Sequence, residues 1–259
     1  ASMATKAVEK LLTQRKINAD EIDVILVATV TPDMMFPSTA ALIQNNIGAV
    51  NAWGYDISAA CSGFLFAMQT GAQMIETGRY QKILVIGTEK MSSIIDYTDR
   101  NTCIIFGDGA GAVLLESSNE YGVIDSKLRI DGGGGEFLHM KAGGSLMPAS
   151  QETIDNRLHY VYQDGKSVFK FAVKGMADVS FEIAQRNGLS NQDIKLFIPH
   201  QANKRIIDAS AKRLGLSNDQ VLVNIHKYAN TTAATIPIGM VESYENHRLK
   251  KGDNLIISA

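Results

Sequence analysis

The sequence predicts an α/β fold built twice, and three observations predict it. Helical and strand-like apolar patterns alternate along the chain. The strand candidates are apolar, β-branched runs of the kind buried on both faces of a sheet. The same order of elements then returns at an offset of about 170 residues. With 259 residues, 45% apolar and 20% charged, the chain is large enough and apolar enough for a substantial core.

Val8, Leu11, Leu12 and Ile17 form the apolar face of an opening helix. Val24–Val30 is the first buried strand. A second helix follows Pro37-Ser38, with Ser38 as its N-cap, and stops near Gly48. Next come a short strand around Tyr55–Ile57, a helix from Ser62 to Thr77 and a strand at Ile83–Gly87. Gly107-Asp-Gly-Ala-Gly111 then leads into a strand through Val113–Leu115. That glycine run is not a phosphate loop, because it precedes a strand instead of opening a helix after one.

In the second half, Ile194–Ile198 repeats Ile22–Leu26, Ile225 answers Ile57, and Asn254–Ile257 answers Lys82–Val85. The helices that follow the first strand of each copy end at Gly48 and Gly215. The repeat divides the chain into halves at 1–118 and 119–259. A strand near Val123–Arg129 opens the second copy, and nothing precedes the first helix to match it. The first copy closes with Ala110–Leu115, whereas the second stops at Ala259, so elements are expected to be missing at both ends.

Basic and acidic residues nearly cancel, 25 against 27, so no overall field recruits nucleic acid or an anionic membrane. No apolar run reaches the length of about 18 residues expected of a spanning helix. Two cysteines make no disulfide framework, no Cys/His spacing reads as a metal site, and a reducing, cytoplasmic setting fits best.

Cys61 sits in Ser58-Ala-Ala-Cys61-Ser-Gly-Phe, where a strand hands over to a helix. A thiol at a helix N-terminus is expected to favour thiolate, although a free Cys is also commonly a small buried hydrophobe. Cys103 has strand-like neighbours and reads as core. His200 lies in Pro199-His-Gln-Ala-Asn203 at the carboxyl end of a buried strand, the edge where α/β proteins gather catalytic groups. Asn230, in Tyr228-Ala-Asn-Thr-Thr-Ala233, marks another strand-to-helix handover and falls almost opposite Cys61 in the repeat; it also reads as an ordinary N-cap. Lys204-Arg205, Lys212-Arg213 and Lys170 form either a basic rim around a pocket or solvated helix charge. Phe36, with Met34 and Met35, is core, pocket wall or dimer contact.

Together, Ser58–Phe64, Phe106-Gly-Asp-Gly-Ala-Gly111, Pro199–Ile207 and Tyr228–Ala233 closely resemble the β-ketoacyl-[acyl carrier protein] synthase III family of the thiolase-like superfamily. The resemblance runs from Ala1 to Ala259 and implies a duplicated, five-layered αβαβα fold with two pseudo-symmetric halves. It implies Cys61 as the acyl-accepting nucleophile and His200 and Asn230 as the pair that promotes decarboxylation and condensation. Arg100 matches a contact to coenzyme A, with Asn101 where the family often has Gly. Gln201, Ala202, Asn203, Lys204 and Arg205 match a carrier-protein contact segment, with Lys170, Lys212 and Arg213 as further basic contacts. Phe36 resembles the residue that crosses a homodimer interface into the neighbour's acyl pocket, and Phe106 is placed with it. The family has a further strand and helix before this sequence and a Gly-rich loop after Ala259, which supplies one donor of the oxyanion hole.

The implied reaction starts with acyl transfer from a short acyl-CoA, acetyl or branched, to Cys61. Decarboxylative condensation with malonyl-[acyl carrier protein] follows, His200 acting as a neutral donor, and initiates type II fatty-acid synthesis. Acyl-CoA is then a substrate, and no cofactor or metal is expected. Rival readings are a secondary-metabolite ketosynthase or acyltransferase of the same superfamily and a non-catalytic homologue that binds carrier protein. A papain-like protease shares the order Cys, His, Asn, but its Cys-Gly-x-Cys-Trp signature is absent.

Overall fold

The computed structural model describes residues 1–259. The first half runs α1 (Ser2–Arg15), β1 (Val24–Ala28), α2 (Thr39–Ile47), β2 (Trp53–Ile57), α3 (Gly63–Glu76), β3 (Lys82–Lys90) and β4 (Asp108–Glu116). The second runs β5 (Leu138–Met140), α4 (Gln151–Asp155), β6 (Val161–Gln163), α5 (Gly165–Arg186), β7 (Ile194–Pro199), α6 (Lys204–Leu214), α7 (Ile225–Tyr228), α8 (Thr235–Glu245) and β8 (Asn254–Ser258).

Three clusters of buried side chains, separated by two sheets, define the layers. Because side chains alternate along a strand, Ile25 and Val27 of β1 face one way and Val24, Leu26 and Ala28 the other. The first set packs with Leu84 and Ile86 of β3 beneath α1 (Ala4, Val8, Leu12) and α2 (Ala40, Ile43). The second set packs with Ile83 and Val85 against Phe64 and Ala67 of α3 and Ile236 of α8, and Leu196 and Ile198 of β7 enter the same cluster from the far side. The opposite face of β7 and β8, carrying Ile194, Phe197 and Ile256, is covered by α6 (Ile207, Ala211, Leu214) and by Ala184 of α5. The order is therefore helix, sheet, helix, sheet, helix, and both halves share the central cluster.

The predicted repeat is visible in the strand pairing. β1 pairs in parallel with β2 and β3, while β4 closes this sheet in antiparallel. β7 pairs in parallel with β8, and only a single bridge, Phe197 to Val221, stands where β2 stands in the first half. Ile225, matched to Ile57 by the repeat, falls in α7 and not in a strand. The three predicted helix boundaries are present: Ser38 Oγ accepts the Ala41 N–H at the start of α2, and Gly48 and Gly215 adopt left-handed φ of 72° and 69° at the ends of α2 and α6.

Two other expectations are overturned. Val123–Arg129 is not a strand: it belongs to none of the sheets and pairs with no other segment in a ladder. It is held to α5 by Asp125–Arg186 and by Lys127 and Arg129 with Glu182. Thr102–Phe106 is a turn, and Cys103 is only half-buried, next to a largely exposed Ile104. The glycines of β4 answer a packing demand: a Cβ on Gly111 would lie 2.8 Å from the Ile238 nitrogen, so α8 approaches the strand backbone directly.

Candidate active site

The site is built where two equivalent turns meet. Cys61 occupies a 3₁₀ turn, Ala60–Ser62, that leads directly into α3; Thr232–Ala234 forms the matching turn before α8. Each begins on a non-glycine residue in the left-handed region, Ala60 at φ 45° and Thr232 at φ 51°. The turns lie against each other, and a Cβ on Gly63 would sit 3.9 Å from that of Ala233. Cys61 is thus opposite Ala233, and Asn230 lies three residues earlier than the sequence repeat suggests.

Asn230 is clamped on both sides. Its backbone N–H donates to Ile105 O and its carbonyl accepts from Gly107 N–H, both at 3.0 Å, so Phe106 serves to hold Asn230 through the backbone. Its side-chain Oδ1 accepts the Thr232 N–H at 2.9 Å. The amide's orientation is thereby set, with Nδ2 left as the donor.

His200 follows β7 and is held by its N–H, which donates to Ser258 O at 2.7 Å at the end of β8. The ring is 5% exposed; Nδ1 lies 2.7 Å from Thr235 Oγ1, and Nε2 is buried without a partner in the chain. Burial pushes its pKa down to about 4, so the imidazole is neutral near pH 7.

Cys61 departs from expectation. Desolvation first, and the Glu89 carboxylate second, push its thiol up to about 12, outweighing any helix-dipole assistance. Glu89, at the end of β3 and 1% exposed, has its own pKa raised to about 7 by burial. Sequence reasoning missed it, since Gly-Thr-Glu-Lys reads as a strand running out into solvent.

The basic residues gather on α5 and α6. Lys170, Lys212 and Arg213 are exposed, Arg205 lies over the Phe169 ring at 4.6 Å, and Arg213 over Phe181 at 4.4 Å. Ala202 is half-buried, Asn203 caps α6 by accepting the Arg205 N–H, and Lys204 pairs with Asp208 at 2.7 Å. Gln201 corrects the predicted contact segment: it is 1% exposed, donates to Pro199 O and Leu222 O, and accepts from Asn224 N–H and Ile225 N–H. It staples the loop after β7 and does not reach the surface. Arg100 is exposed and forms no ion pair, on the turn that delivers Phe106 to Asn230. Phe36 is 84% exposed. No group of three His, Cys, Asp or Glu side chains is arranged to hold a metal ion, and no helix is long and apolar enough to cross a membrane.

Comparison with known proteins gives the family. Residues 55–132 match the 3-oxoacyl-[acyl-carrier-protein] synthase III family, and residues 184–259 match its C-terminal domain. A β-ketoacyl-[acyl-carrier-protein] synthase III of Koribacter versatilis is 54% identical over 262 residues, covering 100% of this chain and 79% of the relative. The chain belongs to the 3-oxoacyl-[acyl-carrier-protein] synthase III family. The synthase III of Chlorobaculum tepidum is 56% identical over 98% of this chain and 78% of its own length. The crystal structure of synthase III from Aquifex aeolicus superposes with a TM-score of 0.89 at 38% identity, covering 98% of this chain and 78% of that one. The fold is accordingly the thiolase-like fold of synthase III, and the chain is a condensing acyltransferase of fatty-acid synthesis.

Proposed function

We propose that this chain condenses a short acyl-CoA with malonyl-[acyl carrier protein], giving 3-oxoacyl-[acyl carrier protein], CO2 and CoA. The observation that carries the reading is a pair of buried polar groups tied to the turn that packs against Cys61: the Asn230 amide, oriented by the Thr232 N–H, and the His200 ring, which meets Thr235 and whose buried Nε2 has no partner in the chain.

Cys61 Sγ attacks the acyl-CoA carbonyl, the C–S bond to CoA breaks, and the thiol proton leaves with CoA as its free thiol. Malonyl-carrier protein then binds with its thioester oxygen between His200 and Asn230. Loss of CO2 leaves an electron pair on the α-carbon as an enolate that these donors stabilise. The carbanion attacks the acyl carbon, and Cys61 departs and takes a proton back from solvent. Burial and Glu89 favour the protonated thiol at rest, so the proton is given up as Sγ attacks.

Carrier protein docks on the basic surface of Lys170, Arg205, Lys212 and Arg213, and Arg100 meets the coenzyme A nucleotide. A homodimer that covers Met34, Met35 and Phe36 accounts for three large exposed apolar side chains on one loop. The pseudo-symmetric halves divide near residue 118, in line with the strand pairing that recurs after it. A cytoplasmic location fits the two free thiols.

Intact-protein mass spectrometry with a panel of acyl-CoAs, followed by peptide mapping, tests the reading. An acyl adduct on Cys61 and its consumption by malonyl-carrier protein are expected. An adduct mapped elsewhere, or none with any acyl-CoA, overturns it.

A further inference from the structure

His200 follows β7 and Thr235 opens α8, 35 residues apart, yet they meet at 2.7 Å between Nδ1 and Oγ1. Both side chains are buried, at 5% and 3% exposure. A neutral imidazole carries one ring proton, so one nitrogen donates and the other accepts. Which one donates decides what Nε2 does for the substrate.

The Thr235 hydroxyl also has a single proton, and two acceptors compete for it. One is His200 Nδ1 at 2.7 Å; the other is the Thr232 carbonyl at 3.2 Å. The Thr232 carbonyl is already satisfied, because it accepts the backbone N–H of Thr235 where the 3₁₀ turn passes into α8. Nδ1 has no other partner in the chain. Both arrangements, the hydroxyl proton given to Nδ1 or given to the Thr232 carbonyl with Nδ1–H donating to Oγ1, pair this side of the ring; the shorter contact and the already satisfied carbonyl favour the first.

We propose that Thr235 is a positioning residue: its hydroxyl donates to Nδ1 of His200 and so fixes the ring proton on Nε2, where it serves as a donor to the thioester oxygen of the malonyl substrate. With the opposite tautomer, Nε2 presents a lone pair that repels that oxygen and the enolate formed from it. As the first residue of α8, Thr235 has its side chain placed by backbone geometry, so the tautomer is set before substrate arrives. The low pKa of the ring agrees, since an imidazolium would make the tautomer meaningless. The inference rests on the reading of His200 as a donor in the condensation.

The test uses the full chain with 15N-labelled histidine, the His200 signals being assigned by their loss in His200→Gln. In the wild-type protein Nε2 is expected to be the protonated, pyrrole-type nitrogen and Nδ1 the bare, pyridine-type one. Thr235→Val removes the hydroxyl at nearly constant shape. It should give mixed tautomers and slow malonyl decarboxylation about tenfold to a hundredfold, short of the loss of a whole oxyanion donor. Thr235→Ser should restore the wild-type spectrum and a rate within about threefold of it. A ring proton on Nδ1 in the wild type overturns the proposal, as does a valine variant with unchanged spectrum and rate. The wild-type and serine spectra decide it even where the valine variant does not fold. Because the tautomer is read without turnover, a wild-type chain that never condenses counts against the reaction and not against Thr235.

Discussion

Thr31 Oγ1 donates to Glu89 across 2.6 Å, tying the end of β3 to the loop that leaves β1. The same carboxylate accepts the Val30 N–H at 3.1 Å and the Thr29 hydroxyl at 3.3 Å. These bonds favour its charged form, yet burial wins and holds its pKa at about 7. When charged, Glu89 opposes ionisation of Cys61. Glu89→Gln keeps the shape and one acceptor oxygen while removing the charge. Alkylation of Cys61 by iodoacetamide near pH 8 should then speed up severalfold; an equal or slower rate would show that Glu89 does not govern the thiol.

The same carboxyl leaves a signature in stability. Its pKa is raised on folding, from an ordinary 4.5 to about 7, so the folded chain holds the proton more tightly than the unfolded one. Its contribution is complete below the unfolded value and is lost as the pH rises through about 7. Between about pH 5 and pH 8 the Tm of the wild type should therefore fall relative to that of Glu89→Gln. Parallel curves over that range would contradict the raised pKa.

Burial moves His200 the other way. With its pKa near 4 instead of 6.5, the folded chain binds this proton less readily, so stability from this group is present above about 6.5 and is lost as the pH falls toward 4. Between those values the ring stays neutral in the folded protein. Malonyl decarboxylation should accordingly show no inflection near pH 6.5. A fall in rate with a midpoint near that pH, absent from His200→Gln, would show an exposed, titrating imidazole.

The settings of Cys61 and His200 were legible because each follows a strand and precedes a helix, whereas Asn230, read the same way, follows the short helix α7. The layers were legible for a similar reason: β1 is a continuous apolar run, and β7 is one apart from the exposed Lys195, so both faces of each must be covered. Glu89 was hidden because its burial depends on the pairing of β3 with β1 and on Thr29–Thr31, more than fifty residues away. Thr235 was hidden likewise, its meaning depending on a ring 35 residues distant. The thiol was misread because the helix-dipole argument is local, whereas desolvation and Glu89 are tertiary. Val123–Arg129 has strand-like composition, but a strand also needs a partner.

Asn230 separates two functions in one side chain: Oδ1 accepts from Thr232 N–H, and Nδ2 is the donor for substrate. Asn230→Asp keeps the first and loses the second. Decarboxylation should fall about a hundred- to a thousandfold, as for loss of one oxyanion donor elsewhere, while acylation of Cys61 falls much less. Equal loss in both half-reactions would instead indicate a collapsed turn.

Gly87 of β3 is where the first sheet meets the Thr232–Ala234 turn. A Cβ there would lie 2.3 Å from Ala233 O, a backbone atom that cannot step aside alone. Gly87→Ala should cost about 1–3 kcal/mol in urea unfolding, the range for overpacking, and should slow condensation more than that loss explains. Gly78→Ala meets no atom within 4 Å but has a φ of 74°, so it should destabilise through strain and leave condensation unchanged.

The basic face of α5 and α6 predicts a division between charges that are free and charges already engaged. Arg205 is braced over Phe169 at 4.6 Å, which limits the side-chain entropy lost when a carboxylate is bound. Lys204 is neighbour to it in sequence but pairs with Asp208 at 2.7 Å, so a partner must first break that contact. Arg205→Ala should raise KM for malonyl-carrier protein severalfold, and Lys204→Ala should raise it less. Added salt should raise the wild-type KM and narrow its gap from the Arg205 variant, because the interaction between exposed charges is screened. KM for the acyl-CoA should move less than KM for carrier protein in Arg205→Ala; an equal rise in both would place Arg205 on the coenzyme A path and take carrier docking off this face.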